Sequence, residues 1–189
     1  MPLVSSFDVT LDTCVLLPIT LCDTLLRFAE AGFYRPHWSR ETLDELYRHL
    51  VTTFGLPEAA VRRRVDLMYS AFPEALVEGY EVLVPAMPTP DPNDRHVLAA
   101  AVRSASQVIV TSNLKDFPTD ALVPLGVDAQ SPDTFLLHQC NLDAQLSSQI
   151  LRDQAAEKSR PPLTPEEILD RLANNAPEFA ASIRALLAR

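Results

Sequence analysis

Short apolar runs alternating with helical spacings predict an α/β domain built on a mainly parallel sheet, followed by a purely helical extension. Three observations carry this. Strand-like runs at residues 7–11, 80–84 and 108–111 are each followed by residues with helical spacing, the alternation that parallel sheets require. Beyond about residue 140 the apolar residues recur only at helical intervals. Finally, 189 residues, 47% hydrophobic and 22% charged, are enough for one good core and too apolar for a disordered chain. The sheet domain is placed at residues 1–140 and the helical extension at residues 141–189.

In chain order, Phe7-Asp8-Val9-Thr10-Leu11 alternates as a strand, with Asp12 at its carboxyl end. After Pro18, the spacing of Leu21, Leu25, Leu26, Phe28 and Ala29 gives a helix that Gly32 closes. Ser39 or Thr42 opens a second helix with Leu43, Leu46, Tyr47 and Leu50 on one face. Pro57-Glu58 starts a third, running to about Ala71. Residues 80–84 read as a second strand. The four prolines at 85, 88, 90 and 92 then impose a loop, and Asp91 or Asn93 caps the next helix. Val108-Ile109-Val110-Thr111 is of buried-strand type. Residues 126–129 form a further strand, and Ser131-Pro132 starts a helix. In the extension, one helix spans residues 141 to about 158, Arg160-Pro161-Pro162 breaks it, and Thr164-Pro165-Glu166-Glu167 opens another. Asn175-Ala176-Pro177-Glu178 precedes a last helix carrying Phe179, Ile183, Leu186 and Leu187.

Composition excludes several classes of function. The only glycines are Gly32, Gly55, Gly79 and Gly126, so neither GxGxxG nor GxxxxGK[ST] exists and a glycine-built phosphate cradle is ruled out. Cys14, Cys22 and Cys140 make neither a disulfide framework nor a CxxC pair; an odd count with no secretory pattern at the start suits a reducing cytoplasm. The run from Cys14 to Cys22 is too short to span a bilayer, so no membrane role is expected. Net charge is −9, the wrong sign for a simple duplex binder. Residues 27–64 are the exception, with seven Arg against five acids. That patch suits either a phosphate backbone or a solvated helix face.

Ligands of open α/β sheets bind outside the carboxyl ends of the strands. Asp12 follows the first strand, Asn113 and Asp116 follow the run 108–111, and Asp91 and Asp94 begin the helix after the proline loop. Each has an ordinary reading as a cap or loop acid. Gathered at one sheet edge, however, carboxylates repel and raise one another's pKa unless a cation neutralises them. An all-oxygen site suits Mg²⁺ or Mn²⁺, and no Cys or His stands at zinc-ligand spacing.

Four segments resemble the PIN-domain ribonucleases, close to the VapC-type toxins of toxin–antitoxin pairs: Val9-Thr-Leu-Asp-Thr-Cys-Val-Leu-Leu17, Trp38-Ser-Arg-Glu-Thr-Leu-Asp-Glu-Leu46, Asp91-Pro-Asn-Asp-Arg-His-Val-Leu-Ala-Ala-Ala101 and Val108-Ile-Val-Thr-Ser-Asn-Leu-Lys-Asp-Phe-Pro118. They occur in the family's order across roughly residues 5–137. The resemblance implies a three-layer sandwich with a central parallel sheet of four or five strands. It also implies a site of Asp12, Glu45, Asp94 and Asp116 holding one or two Mg²⁺ or Mn²⁺ ions, with Thr13, Thr111 and Asn113 supporting. Glu45 rests on the resemblance, since Asp44 and Glu45 both lie well off the apolar centre of their helix and spacing alone does not choose between them. Where the family often has Asp, this chain has Asn113, so a fourth carboxylate is either missing or supplied by Asp116. His96, two residues past Asp94, is read as a packing or hydrogen-bonding residue rather than a catalyst.

The function implied is metal-assisted hydrolysis of RNA phosphodiesters by the toxin of a type II toxin–antitoxin pair. Arg27, Arg35, Arg40, Arg48 and Arg62–Arg64 are candidates for holding the RNA backbone. The implied partners are a small antitoxin and a second copy of the chain. A non-catalytic PIN-like interaction module is the alternative, which Asn113 and the net acidity suit. An aspartyl-nucleophile hydrolase ranks below both, because its Asp-x-Asp reads Asp12-Thr13-Cys14 here. The helical tail either packs on its own domain or docks a partner helix. In the second case, removing residues 160–189 leaves metal binding intact.

Overall fold

The computed structural model describes residues 7–159 and 161–188. Four parallel strands form the sheet: β1 (Asp8–Leu11), β2 (Arg35–His37), β3 (Val108–Val110) and β4 (Asp128–Gln130), in the spatial order β2-β1-β3-β4. The register pairs Val9 with Pro36 and Val108, and Val110 with Leu11 and Gln130. From β1 the chain first crosses to β2 on one side and later returns to β3 on the other. The carboxyl ends of β1 and β3 therefore flank a topological switch point.

Alternation along the strands divides the interior into two cores. Val9, Leu11, Val108 and Val110 face one layer. It contains α1 (Thr13–Leu16), α2 (Ile19–Glu30), α3 (Arg40–Thr52), α4 (Glu58–Ala71), α7 (Pro132–Leu142), α8 (Ala144–Ala156), α9 (Pro165–Leu172) and α10 (Pro177–Leu187). Ile109 faces the other, smaller layer, where Val97, Leu98 and the alanines of α5 (Arg95–Arg103) pack with Leu122 of α6 (Thr119–Leu122). Sheet between two helical layers is the sandwich expected.

Local chemistry explains the element ends. Past α2, Gly32 takes a left-handed φ of 85°; its N–H bonds the Ala29 carbonyl while Phe33 N–H bonds Phe28 O, and the Phe28 and Phe33 rings meet at 5.0 Å. Those paired bonds and the apolar contact are a Schellman ending. Ser39 caps α3 by accepting the Thr42 N–H at 2.9 Å. Thr164 and Glu167 close a reciprocal capping box at α9.

Three expectations need correction. Residues 80–84 form no strand: they make a turn and a 3₁₀ segment, with the Leu83 N–H on Tyr80 O and Val82 82% exposed. Just past β2 the sheet is met instead by an isolated bridge between Trp38 and Leu76, and residues 80–84 pair with no strand. β2 itself was not expected; it is polar and contains a proline, as an edge strand tolerates. Finally, Asn141 belongs to α7, and Asp143 separates α7 from α8 by capping the latter through the Leu146 N–H at 2.9 Å. The foreseen break after α8 includes Arg160, which lies outside the described residues.

The extension is not an appendage. Ile168, Leu169, Leu172, Phe179, Ala180 and Ile183 are fully buried in the same cluster as β1 and α2, and Phe179 meets Phe28 edge-on at 5.8 Å. Asp133 of α7 accepts the Glu178 and Phe179 N–H groups at 3.2 and 2.8 Å, capping α10 from outside it. Among the described residues no helix is long and apolar enough to cross a membrane.

Candidate active site

β1 ends at Leu11, and the next residue, Asp12, is buried with its N–H on the Val110 carbonyl at 3.1 Å. This bond pins the acid between the carboxyl ends of β1 and β3. Its Oδ2 accepts from Thr111 Oγ1 at 2.7 Å and from Cys14 Sγ at 3.0 Å. Thr111 Oγ1 also takes the Asn113 N–H at 3.0 Å, and Cys14 Sγ the Ser112 N–H at 3.2 Å, so the loop after β3 is tied to the turn after β1. Burial, with the Asp12 charge beside it, pushes the Cys14 thiol up to about 12, which keeps it protonated and donating.

Asp94 ends the proline loop and leads into α5. The loop is shaped by Asp91, whose carboxylate caps the 3₁₀ turn Pro92–Asp94 through the Asn93 N–H at 2.9 Å. Burial raises the Asp94 carboxyl, and the charges of Asp12, Asp116 and Asp91 raise it further, to about 6, against a smaller opposing pull from His96. Asp116 lies in the same field and accepts a hydrogen bond from the Asn113 side-chain amide. Three separate segments thus bring Asp12, Asp94 and Asp116 within electrostatic reach of one another.

Glu45, on α3, is held differently. Thr13 Oγ1 donates to its Oε2 at 2.7 Å, while His96 Nε2 and Arg48 Nη2 lie 3.6 and 3.9 Å from its Oε1. Burial alone would raise this carboxyl; His96, Thr13 and Arg48 outweigh it and hold Glu45 below the usual range. His96 is buried, with Nδ1 2.8 Å from Ser39 Oγ. Thr13 therefore serves Glu45 and Thr111 serves Asp12.

The donor set fits a hard dication in kind, since Asp12, Asp94, Asp116 and Glu45 offer only carboxylate oxygens and Asp94 stands in the negative field of Asp12, Asp116 and Asp91, which His96 offsets only in part. Among the described residues, however, no three or more His, Cys, Asp or Glu side chains already stand close enough together to hold an ion. Cys14 and Ser39 are the site residues that sequence reasoning missed. Ser39 reaches His96 57 residues away, and Cys14, although it donates to Asp12 two residues before it, takes its place in the site through Thr111, 97 residues away.

The arginine patch is mostly spoken for. Arg27 pairs with Asp23 and Glu157, Arg35 with Asp8, and Arg62 with Glu58, while Arg64 donates to the Leu16 and Leu17 carbonyls. Arg40, exposed in the first turn of α3, Arg63, exposed on α4, and Arg48, beside Glu45, remain suited to a phosphate backbone.

Residues 8–115 match the family model described as PIN domain, and residues 132–185 match one described as VapC50 C-terminal domain. Over 112 residues the chain is 45% identical to a Mycobacterium tuberculosis protein named "Putative ribonuclease VapC50", a match covering 59% of this chain and 66% of that protein. The chain thus spans just under two-thirds of that relative's length.

Proposed function

The chain belongs to the PIN-domain family, and from that premise we propose that it is a Mg²⁺- or Mn²⁺-dependent endoribonuclease of the cytoplasm, the toxin of a type II toxin–antitoxin pair. The observation that carries this is Asp94, a half-buried carboxyl raised to about 6 by burial and by the neighbouring charges of Asp12, Asp116 and Asp91 at the switch point of the sheet. Asp12 and Asp94 would hold the ion, with Glu45 and Asp116 completing the site. When bound, a dication there supplies Lewis-acid stabilisation of phosphate charge and an acidified water. Thr111 and Cys14 fix the free oxygen of Asp12 by occupying the other. Glu45, kept ionised, would help to hold the ion and orient the attacking water. Arg40 and Arg48 would position the RNA backbone without reading its sequence.

An antitoxin surface is supported by a groove of about 690 Å³ between α2 and α4, where Ile19 and Leu67 are 58% and 59% exposed. None of the four acids lines it. A second reading, the non-catalytic interaction module, is favoured by one observation: no three ligands are gathered as the site stands among the described residues.

Cleavage of single-stranded RNA by the purified protein in Mn²⁺ decides between the two. Cleavage is expected for wild type and lost at least 100-fold in Asp12→Asn and Asp94→Asn, both remaining folded. Wild-type protein that neither cleaves RNA nor binds Mn²⁺ leaves the interaction module standing.

A further inference from the structure

Glu45 is gripped from two sides by neighbours of the other acids. Thr13, which holds Oε2 at 2.7 Å, directly follows Asp12; His96, which faces Oε1 at 3.6 Å, stands two residues past Asp94. From this juxtaposition we infer that His96 is a positioning residue of the nuclease site, directing Glu45 through an Nε2–H while Ser39 locks the ring from behind. The inference rests on the nuclease reading above.

The tautomer follows from the partners. Ser39 Oγ accepts the Thr42 N–H at 2.9 Å and lies 2.9 Å from Thr42 Oγ1 and 2.8 Å from His96 Nδ1. A hydroxyl has one proton and two lone pairs. Tyr80 is a further partner of the Ser39 hydroxyl, so Ser39 by itself accommodates either tautomer and Glu45 decides between them: with the Ser39 proton on Nδ1, the ring proton sits on Nε2. The opposite choice puts an unprotonated Nε2 lone pair against the Glu45 carboxylate, which is repulsive. Nε2–H faces it attractively, as an ion–dipole approach, since 3.6 Å exceeds a hydrogen bond. Glu41, whose Oε2 is 3.7 Å from Nδ1, is half-exposed and competes weakly. Because Ser39 also caps α3, the ring is referenced to the helix that carries Glu45, and so sets the spacing between α3 and the Asp94 end of α5.

Three substitutions separate positioning from packing. Gln places an amide near the Nε2 position, Asn reaches only the Ser39 side, and Leu fills the volume alone. Mn²⁺ affinity by calorimetry and RNA-cleavage constants are measured on the full chain. We expect His96→Gln within threefold of wild type, whereas His96→Asn and His96→Leu lose about tenfold or more in Mn²⁺ affinity and in kcat, with KM for RNA unchanged. Imidazole ¹⁵N shifts of the wild-type protein without metal, which need no variant to fold, are expected to report the Nε2–H tautomer. An Nδ1–H ring, a His96→Leu protein that binds Mn²⁺ like wild type, or a His96→Gln protein as impaired as His96→Asn overturns the inference and leaves the nuclease reading intact. Wild-type protein that neither binds Mn²⁺ nor cleaves RNA overturns both.

Discussion

Asp94 is the residue at which electrostatics and function meet. Its carboxyl is raised from 3.8 to about 6 by burial and then by Asp12, Asp116 and Asp91. The native state therefore binds a proton there more tightly than the unfolded chain does. The associated stability is complete below about pH 4 and is lost as pH rises through about 6. Asp94→Asn should accordingly stabilise the metal-free protein at about pH 8 by roughly 1 kcal/mol, allowing for solvent screening of a half-exposed group, and should be neutral near pH 4. Urea titrations at the two pH values check this, and equal effects at both would refute it. Cys14 makes a second case. With its thiol pushed up to about 12, iodoacetamide at about pH 7.5 should leave the residue unmodified over hours; mass spectrometry of the treated protein reads the result. Asp12 and Asp94 could be singled out from sequence because each stands at a recognisable strand end or helix start. The partners of His96, expected only as a packing or hydrogen-bonding residue, and the tie of Cys14 to the loop after β3 could not, since both join segments distant in the chain.

The helix endings show how far local pattern reaches at the level of the element. Gly32 marks the end of α2 by its chemistry alone. At α5 the same ending is built without a glycine: Ser106 N–H bonds Ala101 O, Ala105 N–H bonds Val102 O, and Ala105 takes a φ of 55°. A non-glycine residue in the left-handed region is strained. Ala105→Gly should therefore raise stability by about 0.5–1 kcal/mol, net of the extra freedom glycine gains when unfolded, as read by thermal or urea unfolding. The strand expected at residues 80–84 had the right alternation, but a strand also needs a neighbour. Tyr80 turns into the smaller core while Val82 faces solvent. β2 reverses the lesson, since Arg35-Pro36-His37 has no apolar alternation and is a strand only because β1 lies beside it. There Asp8 accepts from Arg35 Nη2 at 2.6 Å and pairs with His37 Nε2 at 2.8 Å, fastening the edge with charge.

For the molecule as a whole, the helical extension completes the larger core. Phe179 is fully buried against Phe28, so Phe179→Ala should cost about 3–5 kcal/mol in urea unfolding, with a Glu178→Ala control near zero. Removing residues 160–189 strips Ile168, Leu169, Leu172, Phe179 and Ile183 from that core at once. The truncated chain should fail to give a cooperative unfolding transition, rather than persist as a folded domain with metal binding intact.

Alternation of apolar runs, the order of four motifs and the scarcity of glycine were enough to give the α/β class, the family resemblance and the acids worth watching, because period and motif order are properties of the chain itself. Which side of β1 each later strand would join, whether the tail would share the core, and which hydroxyl, thiol or imidazole would hold each carboxylate were settled only on folding. Those contacts join residues tens of positions apart, and their energies depend on burial and distance, which no local window of sequence contains.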